Sequence, residues 1–148
     1  MNDIRKNDIF YLCSLIEFIG RKSKNKRGTI VEILGEKELA RQLDLAEVNH
    51  CLSFEQISDE IIDYFNIKEG DFDSVGLCKY NIPSVQAIGK VYQRLIISLV
   101  LQKDDIVHVL SEVFNSFISD EISDFNSSVY YSNPEYLKYS YLEGKLLA

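Results

Sequence analysis

Residues 84–102 read SVQAIGKVYQRLIISLVLQ, and this stretch decides the fold class. Its polar residues Gln86, Lys90, Arg94, Ser98 and Gln102 recur at every fourth position. At 3.6 residues per turn, that spacing draws one narrow polar stripe on a helix and leaves the rest of its surface apolar. Such a helix must be covered on most sides, so the pattern predicts the central helix of a bundle. Pro83 and Ser84 mark its start, with the serine hydroxyl placed to accept from a free amide of the first turn.

Working outward, the flanking segments also read as helices. Ile9, Leu12, Ile16 and Ile19 fall at helical spacing within 3–22, and Cys13 and Leu15 widen that face. Short helices are expected over 28–34 and 36–48, with Gly35 suited to end the first of them. Ser53-Phe54-Glu55-Gln56 has the form of a capping box and opens a helix to residue 65, with Ile57, Ile61, Tyr64 and Phe65 inward. Residues 66–83 hold Gly70 and Gly76 and sustain no period. Eighteen residues without regular structure are unusual inside a compact domain, so this stretch is expected to hide a short element or to serve a function. A helix is predicted over 104–125, with Ile106, Leu110, Val113, Phe117 and Ile118 inward. Asn133-Pro134-Glu135 gives an N-cap, a first-position proline and a first-turn acid for a last helix ending near Gly144. No strand pair and no solenoid repeat is legible. The reading is an all-α, single-domain bundle of six to seven helices spanning 1–148.

Composition limits the function classes. The 148 residues carry 46% hydrophobic and 26% charged side chains, a globular balance. The net charge of −7 would repel phosphate backbones, which disfavours nucleic acid as a partner. The longest apolar runs are a few residues, far below the roughly 20 that a bilayer requires. Arg5 and Lys6 precede an apolar run, but Glu17 interrupts it, so a helix and no signal peptide is expected. The three cysteines, Cys13, Cys51 and Cys78, are odd in number and widely spaced, which fits reduced thiols in a cytoplasmic protein.

Two features stand out as candidate binding sites. Arg21, Lys22, Lys24, Lys26 and Arg27 place five cations in seven residues and leave only 11 of the 16 basic residues for the rest of the chain. Such a run is either an anion site for RNA, DNA or a nucleotide phosphate, or a solvated helix end whose cations favour the C-terminal dipole. Tyr130, Tyr131, Tyr136, Tyr139 and Tyr141 crowd five tyrosines into twelve residues. Tyrosine combines a large apolar area with a polar tip, so the cluster either closes the core or forms a partner surface.

Other groupings are weaker. Lys90 and Arg94 lie one turn apart on the apolar helix and could hold a buried anion. The structural expectation is pairing with carboxylates such as Glu112, Asp120 or Asp124. His108 and Glu112 have the spacing of an exposed pair. His50-Cys51 with Cys78 lacks the paired spacing of a zinc site, and no motif orients a Cys–His nucleophile. Asp71-Phe72-Asp73 echoes a calcium loop, but Val75 and Ile82 occupy ligand positions. A helix-turn-helix about Gly35 would present Glu36, Glu38, Asp44 and Glu47 to phosphates. No catalytic residue, metal or cofactor is expected.

The stretch 10–62 resembles a family of small bacterial proteins of uncharacterised activity. The resemblance is carried by Tyr11-Leu12 through Ile16-Glu17, the Lys24-Asn25-Lys26 turn, and Leu43 to His50 ahead of Ser53. That family is associated with genes beside ADP-ribosyltransferase-like toxins, and the resemblance implies an accessory or antitoxin role with a protein partner encoded nearby. The expectation is therefore a non-enzymatic protein-binding module. The alternatives are a nucleic-acid or nucleotide binder using residues 21–27, and an enzyme of a class the sequence does not reveal.

Overall fold

The computed structural model describes residues 1–101 and 106–148. Among the described residues the chain forms α1 (Asp3–Ser23), α2 (Arg27–Asn49), α3 (Phe54–Phe65), α4 (Val85–Leu99), α5 (Ile106–Phe114), α6 (Phe117–Ser123) and α7 (Pro134–Glu143), with a 3-10 turn at Val129–Tyr131 before α7. They contain no strand, and the architecture is a single-domain all-α bundle. No helix among them is long and apolar enough to cross a membrane.

α1 and α4 form the heart of the bundle. α1 is flanked by α2, α3 and α4, whereas α4 also meets α5 and α7. The face Ile9, Leu12, Cys13, Leu15, Ile16 and Ile19 is buried along its whole length. Each such aliphatic side chain contributes about 1.5–3 kcal/mol of transfer free energy. On α4, Ile88, Tyr92, Leu95 and Ile96 are buried, and Tyr92 stacks on Phe114 of α5 at 4.1 Å between ring centroids. The two helices pass so closely that a Cβ added to Gly89 would lie 2.0 Å from the Ser14 hydroxyl. The interior role expected for residues 84–102 is thus shared with α1, whose buried surface extends further along its length. The helix expected to run to Gln102 ends at Leu99, where Val100 turns to extended backbone (φ −75°, ψ 120°), and the expected start of the next helix at Asp104 lies outside the described residues.

The caps follow the sequence. Ser53 Oγ accepts from Gln56 N at 3.1 Å, Ser84 Oγ from Ala87 N at 3.0 Å, and Asn133 Oδ1 from Glu135 N at 2.8 Å. Gly35 takes φ 76° and ψ 163° and divides α2 into the two helical arms expected around it.

Two expectations are corrected. The helix predicted through to residue 125 is two helices. Ser116 turns its hydroxyl back to accept from Ile118 N at 3.3 Å and caps α6, while the extended backbone there (φ −89°, ψ 170°) breaks the path. The break lets Phe114 reach Tyr92 from one helix and Ser119 reach it from the next, with Oγ 2.9 Å from the Tyr92 hydroxyl. Tyr64, expected inward, is 82% exposed. It shares the face of Ile57 and Ile61, but at that end of α3 the face borders an open groove against α2.

Residues 66–83 form a strap of turns and extended chain, without a helix or strand. Gly70 N donates to Ser23 O at 2.9 Å and Phe72 N to Lys24 O at 2.8 Å, so the strap lies across the C-terminal end of α1. Further on, Asn126 ties it to the loop after α6: Oδ1 accepts from Lys79 N and Nδ2 donates to Leu77 O.

Candidate functional site

The basic run is drawn into the body of the fold. Arg27 is fully buried and makes a two-point pair with Glu17, Nε to Oε1 at 2.9 Å and Nη2 to Oε2 at 2.8 Å. Its remaining donors reach Asn25 O at 3.0 Å and Ser74 Oγ at 2.8 Å, the second supplied by the strap. Arg21 bonds the same Glu17 at 2.7 Å and Pro83 O at 2.8 Å. Burial acts to raise the Glu17 pKa, but the hydrogen bonds and charges of Arg27 and Arg21 prevail and hold it below the usual carboxylate value. Lys22 bridges Glu55 and Asp59, Lys24 reaches Glu69 at 3.4 Å, and Lys26 reaches Asp120 at 3.8 Å. All five cations therefore face carboxylates of this chain. The local excess of positive charge seen along the sequence is matched in space.

The tyrosine-rich tail divides. Tyr136 donates to Leu147 O at 2.9 Å, and Tyr130 packs edge-on against Phe125, so both close the end of the bundle. Tyr141 is half-buried, whereas Tyr131 and Tyr139 are exposed. His50 Nδ1 lies 3.2 Å from Ala46 O at the end of α2, and its Nε2 is 3.8 Å from Cys51 Sγ. Among the described residues no three His, Cys, Asp or Glu side chains converge as metal ligands.

Lys90 and Arg94 do not meet Glu112, Asp120 or Asp124 as expected. Asp120 faces Lys26, Glu112 pairs with His108 at 2.7 Å, and Asp124 Oδ1 accepts from Asn126 N. Both cations point outward because the buried face of α4 is already filled by Tyr92, Leu95 and Ile96.

A concavity also opens where the N-terminal half of α1 meets the end of α2, the start of α3 and the start of α4. It encloses about 700 Å³. Its walls carry Tyr11, Phe10 and Phe54, with Ile4 and Leu52 at the exposed rim. Tyr11 and Phe18 both pack tilted against Phe54, at 5.5 and 5.6 Å between centroids, which fixes the aromatic side. Asp8 and Glu47 supply negative charge. Asp8 is largely buried, and desolvation raises its pKa, aided by Glu47 and Asp44 and opposed by Arg5 at 3.6 Å. Behind this wall Tyr11 Oη and Ser14 Oγ are shut off from solvent, with no hydrogen-bond partner among the described residues, and Ser14 Oγ is turned to Gly89 of α4.

Beyond Leu52 the cleft continues as a second groove between α2 and α3, lined by Ile57, Ile61 and the exposed Tyr64, with Glu38 and Glu60 on its flanks. Ser14 Oγ contacts no side-chain base, whereas His50, whose Nδ1 meets Ala46 O, keeps its Nε2 3.8 Å from the exposed Cys51 thiol. Reading along the sequence missed this site, although a signal was present. Ile4, Tyr11, Ser14 and Phe18 lie at helical spacing on the α1 face beside the aliphatic one.

No protein-family model, curated protein or solved structure matches the chain.

Proposed function

We propose that the chain is a non-enzymatic protein-binding module whose cleft takes a basic, amphipathic segment of a partner protein. The observation that carries this reading is the aromatic and apolar wall of Phe10, Tyr11 and Phe54 beside the desolvated carboxyl of Asp8. Aromatic faces and carboxylates together favour a cation on an apolar stem, and a lysine or arginine side chain offers that combination. The groove past Leu52 to Tyr64 extends the surface to the length of a helix or peptide; on its flanks Arg41 pairs with Glu38, and Glu60 stands exposed. The overall charge of −7 supports a basic partner. An antitoxin-like or accessory role in a bacterial cytoplasm, as the resemblance of residues 10–62 implies, would act through this surface, because most of the cleft is built from that stretch.

The test is a fluorescence-anisotropy titration with a labelled basic amphipathic helical peptide and its counterpart bearing glutamate for every lysine. The basic peptide is expected to bind, the acidic one not; Asp8→Asn should weaken binding roughly tenfold, the loss of one charge-assisted contact, and Leu52→Arg should weaken it by repulsion at the rim. Equal binding of both peptides, or full affinity in both variants, would refute the reading. Co-expression with the product of an adjacent gene then tests the antitoxin role, with Leu52→Arg expected to abolish protection.

A further inference from the structure

Arg94 is an exception within this molecule. Arg5, Arg21, Arg27 and Arg41 each lie within 3.6 Å of a carboxylate oxygen, but Arg94 meets none among the described residues. It is exposed on α4, one turn from Lys90, which is likewise without a carboxylate partner there and rests its ammonium 5.6 Å from the Phe10 ring. The two cations edge a notch of about 350 Å³ between α4 and the start of α7. Leu95 and Leu137, both buried, form an apolar floor. Across from the cations stand Tyr130 and Tyr131, their rings edge-to-face at 4.9 Å, with Tyr131 69% exposed. Glu135, the acid of the first turn of α7, is exposed and does not line the notch.

We propose that this notch binds a small organic phosphate carrying a flat ring. Side chains four apart on a helix stand about 5–6 Å from each other at Cβ, a separation that lets an ammonium and a guanidinium share the oxygens of one phosphate. The Tyr131 face and the apolar floor take the ring by stacking and burial. The site is separate from the cleft between α1, α2 and α3, and it uses none of the cations at 21–27. A free mononucleotide and the 5′-phosphate end of a nucleic-acid strand present the same chemistry. The net charge of −7 weighs against a strand, since it would repel the backbone beyond the first phosphate.

The experiment is an NMR and calorimetric titration of the intact chain with adenosine 5′-monophosphate, phenyl phosphate, adenosine and inorganic phosphate. Both phosphate esters are expected to shift the Tyr130 and Tyr131 signals and to bind more tightly than adenosine or inorganic phosphate alone. Arg94→Gln should weaken them tenfold or more, Lys90→Gln by a smaller factor, and Tyr131→Ser should reduce the preference for the ester over inorganic phosphate. Lys145→Gln, a matched loss of charge elsewhere, and Asp8→Asn, in the other cleft, should change nothing. Competition by a 5′-phosphorylated oligonucleotide but not its unphosphorylated form would support the site with a strand end as the source; competition by neither would support it with the free ester. Absence of shifts at millimolar ester, binding of adenosine equal to its phosphate, or equal losses in Arg94→Gln and Lys145→Gln would overturn the proposal.

Discussion

Arg27 and Glu17 meet through two parallel hydrogen bonds with neither side chain exposed to solvent. Arg27 reaches its partner by crossing Gly20, where an added Cβ would stand 2.4 Å from the arginine Cδ. Removing one member of a buried pair leaves the other charged and desolvated, at a cost of about 3–5 kcal/mol. Arg27→Gln should therefore lower unfolding free energy by about that amount in urea denaturation. Glu17→Gln should cost more, because Arg21 loses the same partner. The pair also sets an acid limit. The folded pKa of Glu17 is depressed, so its contribution is complete above the unfolded value near 4.5 and is lost as pH falls through the lower folded value. In an acid titration monitored by circular dichroism, Glu17→Gln should flatten that loss.

Gly35 holds φ 76° and ψ 163°, a region open essentially to glycine alone, and no atom lies within 4 Å of the position a Cβ would take. Gly35→Ala should cost about 1–3 kcal/mol by backbone strain alone. Thermal denaturation reads this directly. A cost near zero would mean that the chain relaxes at the break in α2 rather than holding it.

Asp8 should govern the pH dependence of cleft binding. Burial raises its pKa above 3.8, with Glu47 and Asp44 adding to the rise and Arg5 opposing it. A cationic segment then binds fully at neutral pH and is released as pH falls through that raised value, above the range of exposed aspartates. In Asp8→Asn the affinity should be lower at neutral pH and the release through the Asp8 titration should be lost. Anisotropy titrations across pH 4 to 7 distinguish the two profiles.

His108 bridges α2 and α5 at the surface, with Glu36 3.4 Å from Nδ1 and Glu112 2.7 Å from Nε2. The hydrogen bond to Glu36 and the charge of Glu112 raise its pKa above 6.5. The stabilisation is thus fully present below the unfolded value and is lost as pH rises through the folded one. His108→Gln should remove a small dependence of melting temperature on pH in that window. The spacing of His108 and Glu112 announced half of this contact, whereas Glu36 comes from 72 positions away and left no local mark.

Local signals carried the helices. Ser53, Ser84 and Asn133 cap where their spacing placed them, and the aliphatic face of α1 is buried as its periodicity required. The break at Ser116 was hidden because no acid stands at the third helical position to complete a capping box, and apolar residues continue through it at helical spacing. The site was harder to read for a different reason. Residues 21–27 drew attention by clustering in sequence, yet Glu55, Asp59, Glu69 and Asp120 converge on them only in three dimensions. Conversely, Asp8, Tyr11 and Ser14 look like ordinary members of an amphipathic helix. What distinguishes them is the cleft that α2, α3 and α4 close around them, a property of packing that no spacing encodes.

The strap over residues 66–83 also bears on how the chain assembles. Ser74 and Pro83 complete the hydrogen bonding of Arg27 and Arg21, so the two longest helices depend on residues that emerge from the ribosome well after them. An α1–α2 hairpin made alone would hold its inner guanidinium short of a partner, and each turn of delay would leave it free to reopen. The strap thus acts as a latch: the donors of Arg27 and Arg21 are all satisfied as seen here only with residues 74 and 83 in place.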